Sequence, residues 1–348
     1  MNEIFLKDLL ETTSPSGFEQ TAAKLWREEA KKITNLVYGD IHGNSIAAIS
    51  DNRRPSSTRI MLAGHIDEIG LMVSYIDDKN GFVYFRTIGG WDPQILPGQR
   101  VKIYTKNGKI LKGCIGRTPI HLLKDEERKQ AVKIESMWID VGGSENVKQI
   151  SIGDYAVLDY GPEFLNDNIL VGRGIDDRIG AFVVLEALRT INKNARNEIF
   201  AVATVQEEIG LRGAITSTFS IKPQIGIAVD VTFATDCPGA DKTIGDIKLD
   251  AGPVISIGPN ITPSIHKLLV ETAREYQIPF QIEAAPRGTG TDANVIQLSR
   301  NGVATGLVSI PNRYMHSPCE MIDLRDVENT INLIARFCEK EFRELVYD

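Results

Sequence analysis

Two stretches decide the fold of this chain: RIGAFVVLEALRTI at residues 178–191 and EIFAVATVQ at residues 198–206. The first places apolar residues at helical spacing, and the second is an apolar run typical of a strand. The alternation continues with strands predicted at 224–231, 253–258, 280–285 and 302–310, and with helices at 262–277, capped by Thr262, and at 323–342. This pattern predicts a three-layer α/β domain with a mostly parallel sheet.

The segment from about residue 72 to residue 162 has a different pattern. Short β-rich runs are separated there by turn signals, such as those at 79–81 and 106–108. Several short strands at this spacing predict a small barrel or sandwich, and one helix is expected near 145–149.

The N-terminal segment is predicted to complete the α/β domain. Helices are expected at 3–10 and 19–32, strands at 34–50, and a short buried strand at 60–63. The simplest assembly makes one domain from residues 1–70 plus 163–348. Residues 71–162 then form a β-rich domain inserted into it.

Composition narrows the class of protein. The 348 residues predict about two domains, and 42% hydrophobic with 24% charged residues excludes a disordered or fibrous chain. The net charge of −7 argues against nucleic acid as a partner. No signal peptide and no membrane-spanning segment are predicted, so we expect a cytoplasmic protein. The four cysteines form no CxxC pair, which argues against a zinc knuckle or a disulfide scaffold.

Acidic and histidine residues follow the predicted strands, where open α/β sheets form their sites. They occur in five segments: His65-Ile66-Asp67, Asp176-Asp177, Glu207-Glu208, Asp230 and His316. His65 and Asp67 are two apart in extended chain and therefore point to the same face. A carboxylate near an imidazole is the arrangement that orients a metal-binding histidine.

Each segment alone also has an ordinary explanation. His65 could be a surface histidine beside an acidic turn, and one carboxylate of the Asp176-Asp177 pair could cap a helix. Glu207 and Glu208 could be an acidic strand end, and Asp230 could bind a turn. A lone histidine such as His316 carries little weight. The combination of two imidazoles with several carboxylates is what indicates a site.

Oxygen ligands with a few imidazoles suit Zn²⁺, Mn²⁺ or Co²⁺ better than a thiolate site does. A carboxylate shared by two ions, with one histidine and one carboxylate on each ion, would make a two-metal centre that activates water. Glu207 and Glu208 are adjacent and face opposite ways in extended chain. One of them could therefore bind metal while the other accepts a proton from water.

The order of these motifs resembles the tetrahedral (TET) aminopeptidases, the glutamyl and deblocking aminopeptidases of the dinuclear-metal peptidase clan MH. The resemblance rests on HxD at 65–67, DDR at 176–178, QEExG at 206–210, VDVT at 229–232 and MHS at 315–317. Supporting pieces are TSPSG at 13–17, GGW at 89–91, GD at 153–154 and GTGTDA at 288–293. The resemblance to this family covers essentially the whole chain. The segment RGTGTD at 287–292 departs from the plainer GGTD of many relatives, which puts the side-chain preference in question.

The resemblance implies a role for each site residue. His65 and Asp230 would bind one metal ion, Glu208 and His316 the other, and Asp176 would bridge them with Asp177 behind it. Glu207 resembles the general base, and Asp67 resembles the residue that orients His65. The cofactors would be two divalent ions per subunit, with zinc or cobalt expected and manganese as an alternative.

The resemblance also implies the architecture and the assembly. The fold class would be α/β: a three-layer phosphorylase/hydrolase-like metallopeptidase domain with an inserted small, PDZ-like β-barrel. The barrel would act in dimerisation, and dimers would form a homo-oligomeric tetrahedral dodecamer. His121, in the insertion, would either approach a neighbouring active site or be a simple surface histidine.

The activity expected is hydrolysis of N-terminal residues from peptide substrates. A metal-dependent deacylase or carboxypeptidase is the alternative on the same residues. Some relatives are labelled endoglucanases, although glycoside hydrolysis normally uses two carboxylates without a histidine-rich metal set. A non-catalytic scaffold protein would be expected to lack a ligand or the base, and none is missing.

Overall fold

A computed structural model describes residues 1–49, 57–191 and 196–342. Sequence predictions that fall on residues 50–56, 192–195 and 343–348 lie outside the described residues. Within the described part, no helix is long and apolar enough to cross a membrane.

The described strands are two to nine residues long. In chain order they are β1 (Leu36–Gly39), β2 (Ser45–Ile49), β3 (Arg59–His65), β4 (Gly70–Asp77), β5 (Phe82–Ile88), β6 (Arg100–Tyr104), β7 (Ile110–Arg117), β8 (Met137–Asp140), β9 (Tyr155–Leu158), β10 (Glu163–Phe164), β11 (Ile169–Gly172), β12 (Glu198–Thr204), β13 (Ile225–Phe233), β14 (Val254–Ile257), β15 (Gln281–Ala284), β16 (Ala304–Asn312) and β17 (Glu320–Asp323).

The longer helices, of nine residues or more, lie before residue 31 and after residue 174. In chain order the helices are α1 (Glu3–Glu11), α2 (Gln20–Ala30), α3 (Asp125–Arg128), α4 (Ser144–Val147), α5 (Ile175–Thr190), α6 (Arg212–Ile221), α7 (Pro263–Glu275), α8 (Ala293–Ile296) and α9 (Leu324–Cys338). The helix expected near 145–149 corresponds to α4.

The main sheet has eight strands in the order β1-β2-β12-β3-β13-β16-β14-β15. The four strands β12, β3, β13 and β16 run parallel, while β2 is antiparallel to β12 and β14 is antiparallel to β16. Four of the seven strand pairings in this sheet are parallel, including β14 with β15, so the sheet is mixed with a parallel majority, as the expectation of a mostly parallel sheet requires. β1 and β2 are antiparallel to each other because a short connection at residues 40–44 joins them as a hairpin.

Helices cover both faces of this sheet. Along β3, Ile60 and Leu62 belong to a hydrophobic cluster that includes residues of α1, α2, α5, α7 and α9, whereas Met61 and Ala63 belong to a second cluster that includes residues of α6 and α8. The alternation follows from the two-residue period of a strand. The result is the predicted three-layer α/β arrangement, with α5 lying across the central strands.

Strands β4 to β9 close into a separate six-stranded barrel in the order β4-β5-β8-β7-β6-β9. The barrel has its own hydrophobic cluster, which includes Val73, Phe85, Ile103 and Ile139. The predicted fold class, an α/β domain carrying an inserted small β-barrel, is confirmed. The exact domain bounds, 1–70 plus 163–348 and 71–162, stay a prediction.

The predicted Thr262 cap takes a different form. Thr262 occupies the position before α7, but its side chain makes no hydrogen bond to the helix backbone. Its hydroxyl oxygen instead accepts a hydrogen bond from the Thr305 amide at 2.9 Å. The side chain thus ties the start of α7 to the beginning of β16.

A buried ionic cluster fixes the loop that precedes α5. Glu68 is fully buried and forms ion pairs with Arg173 and Arg178. Arg178 also donates hydrogen bonds to the backbone carbonyl oxygens of Gly174 and Thr12. Because buried charges need partners with good geometry, this cluster holds the loop after β3, the end of α1 and the start of α5 in one arrangement.

Gly64 allows β3 to touch α5 one residue before His65. A Cβ atom added at Gly64 would lie 2.6 Å from the amide nitrogen of Ala181, and the nearest obstacles are backbone atoms that cannot rotate away. Strand and helix can therefore approach this closely only with glycine at this position.

We expect Gly64→Ala to lower the free energy of unfolding by roughly 3 kcal/mol, the upper end of the range for overpacking, because backbone must shift. Urea unfolding followed by circular dichroism measures it. Gly161→Ala is the matched control, since a Cβ there meets no atom within 4 Å. Equal stability of the two variants would contradict the close approach.

Candidate metal centre

The structure brings the predicted site segments together at the carboxyl ends of the central parallel strands, where open α/β sheets bind ligands. Four of the strands or their following loops contribute. His65 ends β3, Glu207 and Glu208 follow β12, Asp230 lies near the end of β13, and His316 follows β16. Asp176 joins them at the start of α5, where its own backbone angles are not helical, next to the segment that the ionic cluster at Glu68 holds in place.

His65 lies at the centre of the group and is almost fully buried. Its Nε2 atom is 3.1 Å from Oδ1 of Asp176 and 3.8 Å from Oε2 of Glu207. Its Nδ1 atom is 3.1 Å from the backbone carbonyl oxygen of Asp67 and 3.5 Å from the Asp67 carboxylate. The imidazole is therefore held through Nδ1, with Nε2 directed at the carboxylates.

Asp176 connects the two histidines. While Oδ1 faces His65, Oδ2 lies 3.3 Å from Nε2 of His316. The same His316 nitrogen is 3.2 Å from Oε1 of Glu208. Two imidazole nitrogens thus share one carboxylate, which is the arrangement needed for a carboxylate that bridges two ions.

The site contains two sets of potential ligands, and within each set the ligand atoms all lie within 4.8 Å of one another. One set is His65, Glu207 and Asp230, and the other is His65, Asp176 and Glu208. These sets overlap with the two predicted ligand sets without reproducing them. Glu207, predicted as a base, lies as close to the first set as a ligand would. The partition of the acids between ligand and base therefore stays a prediction.

Burial makes these carboxylates difficult to ionise without a counter-charge. It raises the pKa of Glu207 to about 10 and raises the pKa of Glu208 as well. Burial, with the neighbouring Asp176, raises the pKa of Asp230 well above its usual value. Burial and the charge of Asp230 do the same to the pKa of Asp177.

For His316 and Asp176, contacts with each other and with neighbouring groups favour the charged forms. Burial opposes charge on His316, but hydrogen bonds to Asp176 and Glu208 raise its pKa to about 11. Burial acts to raise the pKa of Asp176, yet hydrogen bonds from His316 and His65 outweigh it and lower that pKa below its usual value. Asp176 is therefore the carboxylate that stays ionised most readily.

The donor set fits divalent metal ions. It consists of imidazole nitrogens and carboxylate oxygens, which Zn²⁺, Co²⁺ and Mn²⁺ accept, and it contains no cysteine. Several buried acids placed side by side repel one another unless cations neutralise them. A divalent ion held by either set of ligands would supply that positive charge.

Asp67 and Asp177 bind backbone amides. Asp67 accepts hydrogen bonds from the amides of both Glu207 and Glu208 at 3.1 Å, and from the Ser16 hydroxyl at 2.6 Å. Asp177 accepts them from the amides of His65 and Gly180. Asp67 thus fixes the two glutamates as well as lying beside His65.

Glu320 supports the centre, and Asp292 is a further buried acid near it; the sequence reasoning assigned a role to neither. Glu320 is buried and accepts hydrogen bonds from the amides of Asp176 at 3.1 Å and His316 at 2.9 Å. Asp292 accepts a hydrogen bond from the Thr204 hydroxyl at 2.6 Å. The position of Glu320, four residues after His316 at the start of a strand, was the available signal, and Asp292 lies in the quoted GTGTDA segment.

A cavity of about 470 Å³ opens above the centre. His65, Asp176, Glu207, Glu208, Asp230 and His316 line one part of it. Another part is formed by the ends of β13 and β15 and by residues 284–291. His121 is exposed in a turn at 120–122 and does not line this cavity, so its approach to a neighbouring site stays a prediction.

The family model and the curated relatives that match this chain are both aminopeptidases. The model of the M42 glutamyl aminopeptidase family matches residues 43–333. A lysyl aminopeptidase of Pyrococcus furiosus is 39% identical over 342 residues, which is 96% of each chain.

Solved structures agree with that family. The aminopeptidase APDkam598 from the archaeon Desulfurococcus kamchatkensis has a TM-score of 0.90 at 38% identity, covering 97% of this chain and 94% of that one. The Pyrococcus horikoshii TET1 peptidase, which can assemble into a tetrahedron or a large octahedral shell, has a TM-score of 0.85 at 29% identity, covering 97% and 99%. The resemblance predicted from the motifs is confirmed.

We expect Glu320→Ala to weaken zinc binding on the order of ten-fold, as loss of a group that orients ligands typically does. Glu320→Gln keeps one acceptor oxygen and should show a smaller loss. Competition with a chelating dye measures the dissociation constants.

The matched control is Glu186→Gln, which alters a buried glutamate near the far end of α5 that pairs with Arg189. It should change stability without changing zinc affinity. If both positions weaken zinc binding equally, Glu320 has no specific role in holding Asp176 and His316.

Proposed function

Because this chain belongs to the M42 glutamyl aminopeptidase family, we propose that it is a metal-dependent aminopeptidase that removes N-terminal residues from peptides with Glu207 as general base. The observation that carries the proposal is the convergence of His65, His316, Asp176 and the glutamate pair at one cavity.

We assign the ligands as the resemblance implies, and the convergence of these side chains at one cavity supports the assignment. His65 and Asp230 would hold one ion, Glu208 and His316 would hold the other, and Asp176 would contribute to both. When bound, two divalent ions would polarise the scissile carbonyl, lower the pKa of water and offset the negative charge around Glu207. Zinc or cobalt is the expected metal, with manganese as the alternative.

Glu207 moves the proton. Its backbone amide is anchored on Asp67, and its carboxylate lies 3.8 Å from Nε2 of His65. It takes one proton from the attacking water and gives it to the nitrogen of the leaving peptide as the C–N bond breaks. Carboxylates at the same cavity would bind the free α-ammonium group of the substrate, which explains why only terminal residues are removed.

The assembly is part of the proposal. Residues 71–162 would form the dimerisation domain, and dimers would build a tetrahedral dodecamer in the cytoplasm. The support is the named assembly of the Pyrococcus horikoshii relative, at 29% identity.

Two other activities could be considered for the same residues, and each differs from an aminopeptidase in the substrate it requires. A deacylase or carboxypeptidase would use the same metal ligands on a substrate without a free N-terminal amine. An endoglucanase would need carboxylates flanking a sugar bond, whereas these acids are grouped with histidines. The names of the matching family and of the Pyrococcus furiosus relative do not agree on the preferred N-terminal residue.

We expect Glu207→Gln to lose most activity, at least about a hundred-fold in kcat, because general base catalysis contributes that much. Bound metal, measured by elemental analysis, should stay at the wild-type level. Glu163→Gln alters an exposed glutamate on β10 and is the control. An active Glu207→Gln enzyme would refute the base assignment.

An aminoacyl substrate panel tests the activity itself. After chelation, activity should vanish, and it should return on adding zinc, cobalt or manganese. Free dipeptides should be cleaved and N-acetylated dipeptides should not, because the α-ammonium group is required. Preferential cleavage of the acetylated forms would favour the deacylase, and no hydrolysis with any metal would overturn the proposal.

A further inference from the structure

Glu283 places a carboxylate in the cavity at a distance from the candidate metal ligands. It lies on β15 and is partly buried, and its side chain lines the cavity with Thr232 and Phe233 at the end of β13. The metal centre, as assigned above, does not use this acid. Its position requires a separate explanation.

The contacts of Glu283 leave one oxygen available. The Thr232 hydroxyl donates a hydrogen bond to Oε1 at 2.8 Å, which fixes the orientation of the carboxylate. Among the described residues, no donor binds Oε2, and no lysine or arginine forms an ion pair with this group. Burial raises the pKa of Glu283. A partly desolvated acid without a cation is an unfavourable arrangement that a cationic ligand would relieve.

The surrounding wall suits an elongated apolar stem that ends in a charge. Phe233, Ala285 and Pro286 line the same cavity beside Glu283. Lysine and arginine side chains bury their methylene groups against such surfaces while the charged end binds elsewhere.

The distance between Glu283 and the candidate metal centre also suits a lysine or arginine side chain. Asp230 and Thr232 are two residues apart on β13, which corresponds to about 6.5 Å of strand. Glu283 contacts Thr232 and therefore lies about one side-chain length from the place where the scissile bond would react. The four-carbon stem of lysine can span that length.

We propose that Glu283 binds the positively charged side chain of an N-terminal lysine or arginine, so that the enzyme selects basic N-terminal residues. This rests on the proposed aminopeptidase function. Glu283 acts in specificity and takes no part in the proton transfer assigned to Glu207.

Arg287 is the competing charge in the same cavity. It lies in an exposed loop and would select acidic residues if it dominated. An exposed arginine in water contributes less to selectivity than a partly buried carboxylate whose orientation is fixed by a hydrogen bond. Arg287 is therefore the appropriate control position.

The test compares the 4-nitroanilides of lysine, norleucine and glutamate on the full chain loaded with cobalt or zinc. Norleucine has the lysine stem without the ammonium group. We expect kcat/KM for lysine to exceed that for norleucine by about ten-fold or more, the effect of one charge-assisted hydrogen bond. Glu283→Gln keeps an acceptor for Thr232 and should lower this ratio about ten-fold, and Arg287→Gln should leave it within about three-fold.

The outcomes separate this inference from the proposed function. If the enzyme cleaves norleucine and Glu283→Gln leaves the lysine-to-norleucine ratio unchanged, the role of Glu283 is wrong and the aminopeptidase function stands. A best rate on glutamate that Arg287→Gln abolishes also overturns the inference. Failure to cleave any of the three substrates with either metal overturns the proposed function itself.

Discussion

Electrostatic repulsion among buried carboxylates is the constraint on which the structure around the site depends. Asp176, Glu207, Glu208 and Asp230 converge at one cavity, and burial makes each of them costly to ionise unless a positive charge is near. The histidines supply part of that charge, and divalent ions fit the remaining requirement. The fold must therefore hold these groups together against their own repulsion.

The fold does so largely with other carboxylates that bind backbone amides. Asp67 fixes the amides of Glu207 and Glu208, Asp177 fixes the amide of His65, and Glu320 fixes those of Asp176 and His316. Each anchor joins segments distant in sequence. Because the anchors hold backbone, the ligand side chains are restricted to few positions and remain directed at the cavity.

Much of this was predictable from local sequence. Helical spacing in 178–191 and the strand at 198–206 predicted the layered domain, and frequent turn signals predicted the small barrel. Side-chain caps were less predictable, as Thr262 shows, because its hydroxyl binds β16 instead of the helix. Which strands of the main sheet pair antiparallel, namely β1 with β2, β2 with β12 and β14 with β16, was not predictable, because strand direction depends on which distant segments become neighbours.

The sequence by itself determined which residue types are available at the strand ends, since the HxD, DDR, QEExG, VDVT and MHS segments carry their chemistry locally. Only the tertiary structure decided that His65 and His316 share Asp176, that Glu207 lies as near to His65 and Asp230 as a ligand would, and that Glu320 anchors two ligands. It also decided that Glu283 faces the same cavity. The physical reason is that these contacts join chain segments separated by many residues, and their distances are set by how the sheet and helices pack.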